Sequence, residues 1–268
     1  MTQQAVSRRV RSIFVSDLHL GMRGAKAEEL CAFLLSHEAE HLFLVGDIVD
    51  GWKLRKRWIW PEIYNRFVML LIRLADRGTR VIILPGNHDA FLHRFAGVSF
   101  GRIEVHERFL HASADGRRYL VLHGDQFDGV VSQYEWLSRL GHWAYGWALL
   151  LNRPINGLRR LCGLGAWSLS RWGKQRVKQI GGIKNWFAEA LAREAAEAGA
   201  DGVICGHIHI AEMHEDFGLA YLNCGDWVEA GTAIVEGLDG TFELVNWRAS
   251  EFGADHEVNL FPEVPSHA

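Results

Sequence analysis

Five short groups of Asp, Asn and His recur along the chain in a fixed order: Asp17-Leu18-His19, Gly46-Asp47, Gly86-Asn87-His88-Asp89, His123-Gly124-Asp125 and Gly206-His207-Ile208-His209. Carboxylate, imidazole and amide donors without thiolate suit Mn, Fe, Zn or Mg, not a sulfur-bound structural site. Two such cations, roughly 3.5–4 Å apart, can clamp a phosphoryl group and activate a hydroxide for in-line attack. A pair of dications needs a carboxylate to bridge it. Neutral imidazole and amide ligands then leave net positive charge facing an anionic substrate.

The groups must be carried by elements that bring them together. Each follows an apolar run: Ile13-Phe14-Val15, Leu42-Phe43-Leu44-Val45, Val81-Ile82-Ile83-Leu84, Tyr119-Leu120-Val121-Leu122 and Val203-Ile204-Cys205. These read as buried strands whose carboxyl ends present the ligands in one row along a sheet edge, where open α/β sheets place their sites. The patterning predicts strands over 10–16, 42–46, 80–84, 103–111, 118–122, 202–205, 219–223, 231–235 and 241–245. It predicts helices over 25–38, 59–77 and 186–198, the second carrying Ile63, Phe67, Leu70, Leu71 and Leu74 at helical spacing and stopping at Gly78.

Taken in order, D-x-H, G-D, G-N-H-D, H-G-D and G-H-x-H resemble the calcineurin-like metallophosphoesterase superfamily, over roughly residues 10–250. The resemblance implies an α/β fold, a two-sheet sandwich flanked by helices, with an inserted helical lid. Carried over position by position, it implies that Asp17, His19 and His209 bind one metal. Asp47 bridges, and Asn87, His123 and His207 complete the second metal. His88 would stabilise or protonate the leaving oxygen, and Asp89 would orient His88 through its other ring N–H. The cofactor would be two divalent ions, Mn first, with Fe, Zn and Mg also accepted. Asp50 and Asp125 read as turn residues after strands. His37, His41, His93, His106, His111 and His256 lack a ligand-spaced partner and read as surface or packing histidines, whereas His142 and His214 stay open.

Composition fits a soluble enzyme: 23% charged residues and five prolines do not indicate disorder, and a net charge of −3 gives no nucleic-acid signature. Cys31, Cys162, Cys205 and Cys224 show no C-x-x-C pairing and read as buried thiols. The amino terminus has no apolar signal region, and no apolar run is long enough to span a bilayer. A cytoplasmic location follows.

About eighty residues separate the fourth and fifth ligand groups, far more than one crossover helix requires. Residues 132–186 hold nine Lys or Arg, a single acid (Glu135) and six of the eleven tryptophans. Leu137, Leu140, Trp143, Trp147 and Leu150 follow a helical period. The expected organisation is a core of residues 1–127 and 187–250, a helical lid over 128–186 and a tail over 251–268. The lid either grips an amphipathic anionic substrate or rests on an anionic membrane, the cytoplasmic face of the inner membrane.

This insertion makes the chain similar to the UDP-2,3-diacylglucosamine diphosphatase group of lipid A biosynthesis, in which a lid covers the site. The resemblance implies attack on the α-phosphate of a nucleotide-lipid, releasing UMP and the lipid sugar phosphate. It implies substrate contacts from Tyr134, Arg171, Lys174 and Lys178. One position departs: well-characterised members carry Arg where this chain has His88. An Arg stabilises charge, whereas a His also delivers a proton. The alternative is therefore a phosphodiesterase or phosphatase acting on a different nucleotide, phospholipid or nucleic-acid substrate.

Overall fold

A parallel strand buried on both faces must be apolar without alternation, and the first strand meets that condition. In β1 (Arg8–Val15), Val10, Ile13, Phe14 and Val15 are all buried. β2 (His37–Val45) alternates at its start and buries Leu42 through Val45 at its end. β3 (Arg80–Leu84) continues the pattern. The three run parallel, with Phe14 opposite Phe43 and Phe43 opposite Ile82. The computed structural model describes residues 7–127, 187–216 and 218–247.

The remaining strands are β4 (Ser99–Phe100), β5 (Ile103–Val105), β6 (Phe109–Ala112), β7 (Arg118–Val121), β8 (Gly202–Cys205), β9 (Glu212–Asp216), β10 (Leu219–Asn223), β11 (Thr232–Glu236) and β12 (Phe242–Asn246). They form a seven-stranded sheet, β12-β11-β1-β2-β3-β5-β4, and a five-stranded sheet, β6-β7-β8-β10-β9. The described helices are α1 (Ala27–Leu35), α2 (Gly51–Lys56), α3 (Glu62–Asp76) and α4 (residues 187–197).

Two apolar layers hold these elements. In one, Leu30, Phe33 and Leu34 of α1 and Phe67, Leu70 and Leu71 of α3 cover one face of the larger sheet. In the other, Phe14, Phe43, Ile82, Tyr119, Val121, Ile204 and Leu222 fill the space between the sheets. Phe14 and Phe43 stack there at 4.5 Å. Each fully buried side chain of this size contributes about 1.5–3 kcal/mol. A polar tie crosses the same interior. Glu236 Oε2 on β11 accepts from Ser12 Oγ of β1 at 2.6 Å and meets His111 Nε2 of β6 at 2.7 Å. Glu236 Oε1 accepts from Ala114 N at 2.9 Å. His111 is thus a buried packing histidine that links the two sheets.

Three expectations change. The single strand expected over 103–111 is two strands in different sheets, because the chain crosses between them at His106-Glu107-Arg108. α2 and β9 were not expected, since GWKLRK buries no residue and EMHED has no apolar alternation. The ligand groups do not share one sheet edge: β1, β2 and β3 supply three from the larger sheet, and β7 and β8 supply two from the smaller. Cys31, Cys205 and Cys224 are free and buried.

Contacts divide the chain into two compact units, Met1–Asp125 with Glu194–Ala268, and Gln126–Arg193. The expected lid over 128–186, with Tyr134, Arg171, Lys174, Lys178, His142 and Cys162, lies outside the described residues, as does the tail over 251–268 with His256.

Candidate metal centre

Among the described residues, five that are not glycine have a left-handed backbone: Asp17 (φ 54°), His19 (46°), Asp47 (52°), His207 (71°) and His209 (55°). All five are among the sequence-predicted ligands. A left-handed L-residue costs roughly 1–2 kcal/mol, and such strain persists only where surrounding structure over-determines it. Here the surroundings are the turns leaving three strands, β1, β2 and β8. Asp17 N donates to Gly46 O at 3.1 Å, His19 N to Asp47 O at 2.9 Å and Leu20 N to Ile48 O at 2.9 Å, so the turns after β1 and β2 are laced together.

Each of the two ligand carboxylates is fixed through one oxygen. Asp17 Oδ2 accepts from His207 N at 2.9 Å, and Asp47 Oδ1 accepts from His88 N at 2.9 Å. Their other oxygens face imidazoles. Asp17 Oδ1 lies 3.1 Å from His209 Nε2 and 3.8 Å from His19 Nε2. Asp47 Oδ2 lies 3.4 Å from His123 Nε2 and 3.7 Å from His19 Nε2, between the two imidazoles. His123 Nδ1 is bonded to Val45 O at 2.9 Å, which turns Nε2 inward. His19 Nε2 and His209 Nε2 stand 3.3 Å apart.

The donors fit divalent cations. Donor atoms of Asp17, His19 and His209 lie within 4.8 Å of one another, as do those of Asp47, His123 and His207, and those of His19, Asp47 and His88. Asp17 Oδ1, Asn87 Oδ1 and His123 Nε2 are buried without a hydrogen-bond partner. A buried polar atom without a partner costs free energy unless a cation completes it.

Electrostatics point the same way. Burial pushes the Asp17 carboxyl up, yet the imidazoles of His209 and His123 more than reverse this and hold it below its ordinary value. Asp47 is likewise held low against burial, by His123 and the His88 N–H. Burial pulls His123 down, but Asp47 and Asp17 carry it up to about 10. These opposite shifts are one interaction seen from both partners: two buried carboxylates demand positive charge in this space.

Close packing leaves no room for larger residues at two glycines. A Cβ on Gly46 would stand 2.3 Å from the His123 ring, and one on Gly86 would stand 2.4 Å from Asp47 Oδ1.

His88 lies at the rim, its side chain 22% exposed, with Nε2 4.0 Å from Asp47 Oδ2. Its ring meets Trp52 at 4.1 Å and His19 at 4.6 Å. The expected partner, Asp89, is engaged elsewhere. Its Oδ1 accepts from Gly86 N at 2.6 Å, and its Oδ2 from Ile48 N at 2.7 Å and Val49 N at 3.3 Å. Burial raises the Asp89 carboxyl to about 6 against those bonds. Asp89 therefore shapes the loops after β2 and β3 and does not pair with the His88 ring. The carboxylate beside that ring is Asp50, with Oδ1 3.3 Å from His88 Nδ1 and Oδ2 4.0 Å from His19 Nδ1. Asp50 was expected to be only a turn residue. It is buried, and it also caps α2 by accepting from Lys53 N at 2.8 Å. An Asp immediately ahead of a short helical stretch signals the cap, but nothing in the sequence signals its reach to His88. Asp125 opens a short 3-10 turn, Asp125–Phe127. His214 stacks on Tyr221 at 4.7 Å.

The calcineurin-like phosphoesterase family matches residues 10–211. A UDP-2,3-diacylglucosamine hydrolase of Porphyromonas gingivalis is 28% identical over 257 residues, covering 87% of this chain and 95% of that one. A UDP-2,3-diacylglucosamine hydrolase of Neisseria meningitidis serogroup B is 26% identical, covering 80% and 88%. Among solved structures, an archaeal phosphodiesterase aligns with a TM-score of 0.41 at 11% identity, covering 88% of this chain and 98% of that one. With the matched span taking in all five ligand groups, the chain belongs to the calcineurin-like phosphoesterase family of metal-dependent hydrolases.

Proposed function

We propose that this hydrolase cleaves the pyrophosphate of UDP-2,3-diacylglucosamine, or of a similar nucleotide-lipid, giving UMP and the lipid sugar phosphate. The observation that carries the chemistry is the convergence of Asp17, His19, Asp47, His123, His207 and His209, with strained backbone and buried donor atoms lacking partners, Asn87 Oδ1 among the latter. The substrate class is supported by the relatives, named for that lipid at 25–28% identity over most of the chain. When bound, a divalent pair, here assigned as Mn, supplies Lewis-acid charge and a water of lowered pKa.

The residues of the chain do the rest. Asp17, His19 and His209 form one ligand set; Asn87, His123 and His207 form the other, and Asp47 stands between them. His88, at the exposed rim, holds a proton at the leaving oxygen. Asp50, 3.3 Å from Nδ1, places a carboxylate beside that imidazole. Residues 128–186 are assigned to the acyl chains, with Tyr134, Arg171, Lys174 and Lys178 on the phosphosugar.

A second reading rests on His88 itself. An imidazole at this rim can protonate poorer leaving groups than an Arg can help, which suits a different phosphodiester or phosphomonoester. The discriminating experiment is UMP release from UDP-2,3-diacylglucosamine in mild detergent by Mn-loaded protein, with Asp47→Ala as blank. Asp47-dependent UMP supports the lipid substrate. Hydrolysis of a generic phosphodiester without UMP keeps the centre and moves the substrate.

A further inference from the structure

The turn that places Asp50 leads directly into an exposed basic and aromatic segment. Residues 51–61 contain Lys53, Arg55, Lys56 and Arg57 and no acid, in a chain of net charge −3. None of the four cations forms an ion pair with a described residue. Two of its three tryptophans face outward, Trp52 at 52% exposed and Trp58 at 73% exposed, and Trp60 is partly buried against the core. α2 fully buries no residue, and Asp50 caps its first turn.

Trp58 is nevertheless held in place. It stacks on Trp60 at 5.8 Å, and Trp60 Nε1 donates to Asn65 Oδ1 of α3 at 2.9 Å. More apolar area adjoins it. Phe91 and Phe95, on the 3-10 turn Ala90–Phe95, are 45% and 44% exposed, and a Cβ on Gly51 would meet the Phe91 ring at 3.9 Å. Exposed indoles flanked by unpaired cations fit the boundary between headgroups and acyl chains. Indoles partition there, and Lys or Arg attract anionic headgroups. Base stacking on single-stranded nucleic acid would use indoles, phenyl rings and cations too, but a chain of net charge −3 carries no nucleic-acid signature.

We propose that the Trp52–Trp58 segment, with Phe91 and Phe95, is an interfacial anchor that seats the core on an anionic phospholipid bilayer. Trp52 belongs to this surface and to the rim of His88 together. The anchor therefore places the metal centre at the membrane boundary, where an amphipathic phosphoester reaches it without leaving the lipid. Vesicle binding by this surface does not depend on which phosphoester is the substrate.

The test is sedimentation of the full chain with vesicles of phosphatidylglycerol and phosphatidylcholine, compared with phosphatidylcholine alone. The variants are Trp58→Ser and the pair Lys56→Glu with Arg57→Glu, residues given no catalytic role above. Each interfacial cation is worth about fivefold in affinity, so reversing two should weaken binding to anionic vesicles by at least about tenfold. Trp58→Ser should also reduce it, and high salt should abolish most of it. Both variants should hydrolyse a soluble chromogenic phosphodiester at the parental rate, which separates failure of the anchor from failure of the centre. Parental binding by the charge-reversed pair would overturn the proposal. So would binding of a single-stranded oligonucleotide that both variants lose while vesicle binding persists.

Discussion

Gly86→Ala adds one methyl group beneath the metal centre, far smaller than most active-site lesions. The added carbon would stand 2.4 Å from Asp47 Oδ1, 2.6 Å from His123 Cδ2 and 2.7 Å from Asp47 N. Ordinary contacts between carbon and other heavy atoms are about 3.5–4.0 Å, so something must retreat by about 1 Å. A rotamer change cannot absorb this, because one of the three neighbours is backbone. That backbone belongs to the left-handed residue Asp47, whose O is tied to His19 N at 2.9 Å. The displacement therefore moves the Asp47 carboxylate and the His123 ring together. Overpacking of this kind costs about 1–3 kcal/mol of stability. A misplacement of about 1 Å in a catalytic constellation costs about a hundredfold in rate. The assay pairs urea unfolding with metal analysis and turnover of a soluble phosphodiester. The variant should stay folded, lose metal and fall about a hundredfold in kcat. Parental metal content and turnover would show that Asp47 and His123 do not need their observed placement.

His88→Ala should lower kcat by about 10²–10⁴ while metal stays bound; loss of metal would instead make His88 a ligand, the role its grouping with His19 and Asp47 allows. Asp50→Asn keeps an α2 cap but removes the charge 3.3 Å from His88 Nδ1. It should cost about 10–100-fold in kcat and shift the pH–rate profile, and an unchanged profile would refute the pairing. Glu104 accepts from Arg80 Nε at 2.7 Å and Nη2 at 2.8 Å, and Arg80 with His106 draws its carboxyl down to about 2 against the pull of burial. A carboxyl lowered in the folded state stabilises above its unfolded pKa and loses that effect as pH falls toward 2. Because Arg80 is 38% exposed, screening limits the effect to about 1 kcal/mol. Glu104→Gln should thus lower the urea midpoint at pH 6, by an amount that shrinks toward pH 3; an equal gap at both would refute the pairing.

Much of this was legible because the apolar runs are unambiguous. Val81 through Leu84, Val203 through Cys205 and Leu219 through Asn223 read as strands and are strands. What the sequence hid was tertiary. Nothing local marks His106-Glu107-Arg108 as the crossing from one sheet to the other, so the ligand groups looked like one row when they come from two facing sheets. Among the described strands β9 pairs only with β10, at an edge, and its polar residues carry no strand period. The side chains that converge were readable from spacing, but the carboxylate beside His88 was not. Asp89 is adjacent in sequence, yet backbone N–H groups at Gly86, Ile48 and Val49 claim its carboxylate. Asp50 reaches the ring through a turn that only the folded chain defines.

The central claim is that Asp47 joins two ligand sets into one hydrolytic centre. Metal analysis of the Mn-loaded full chain and of Asp47→Ala, paired with phosphodiester turnover on the same samples, tests it most directly. The parent should hold about two metal ions per chain and turn over, and Asp47→Ala should lose both bound metal and activity. Full metal content and parental turnover in Asp47→Ala would contradict the account.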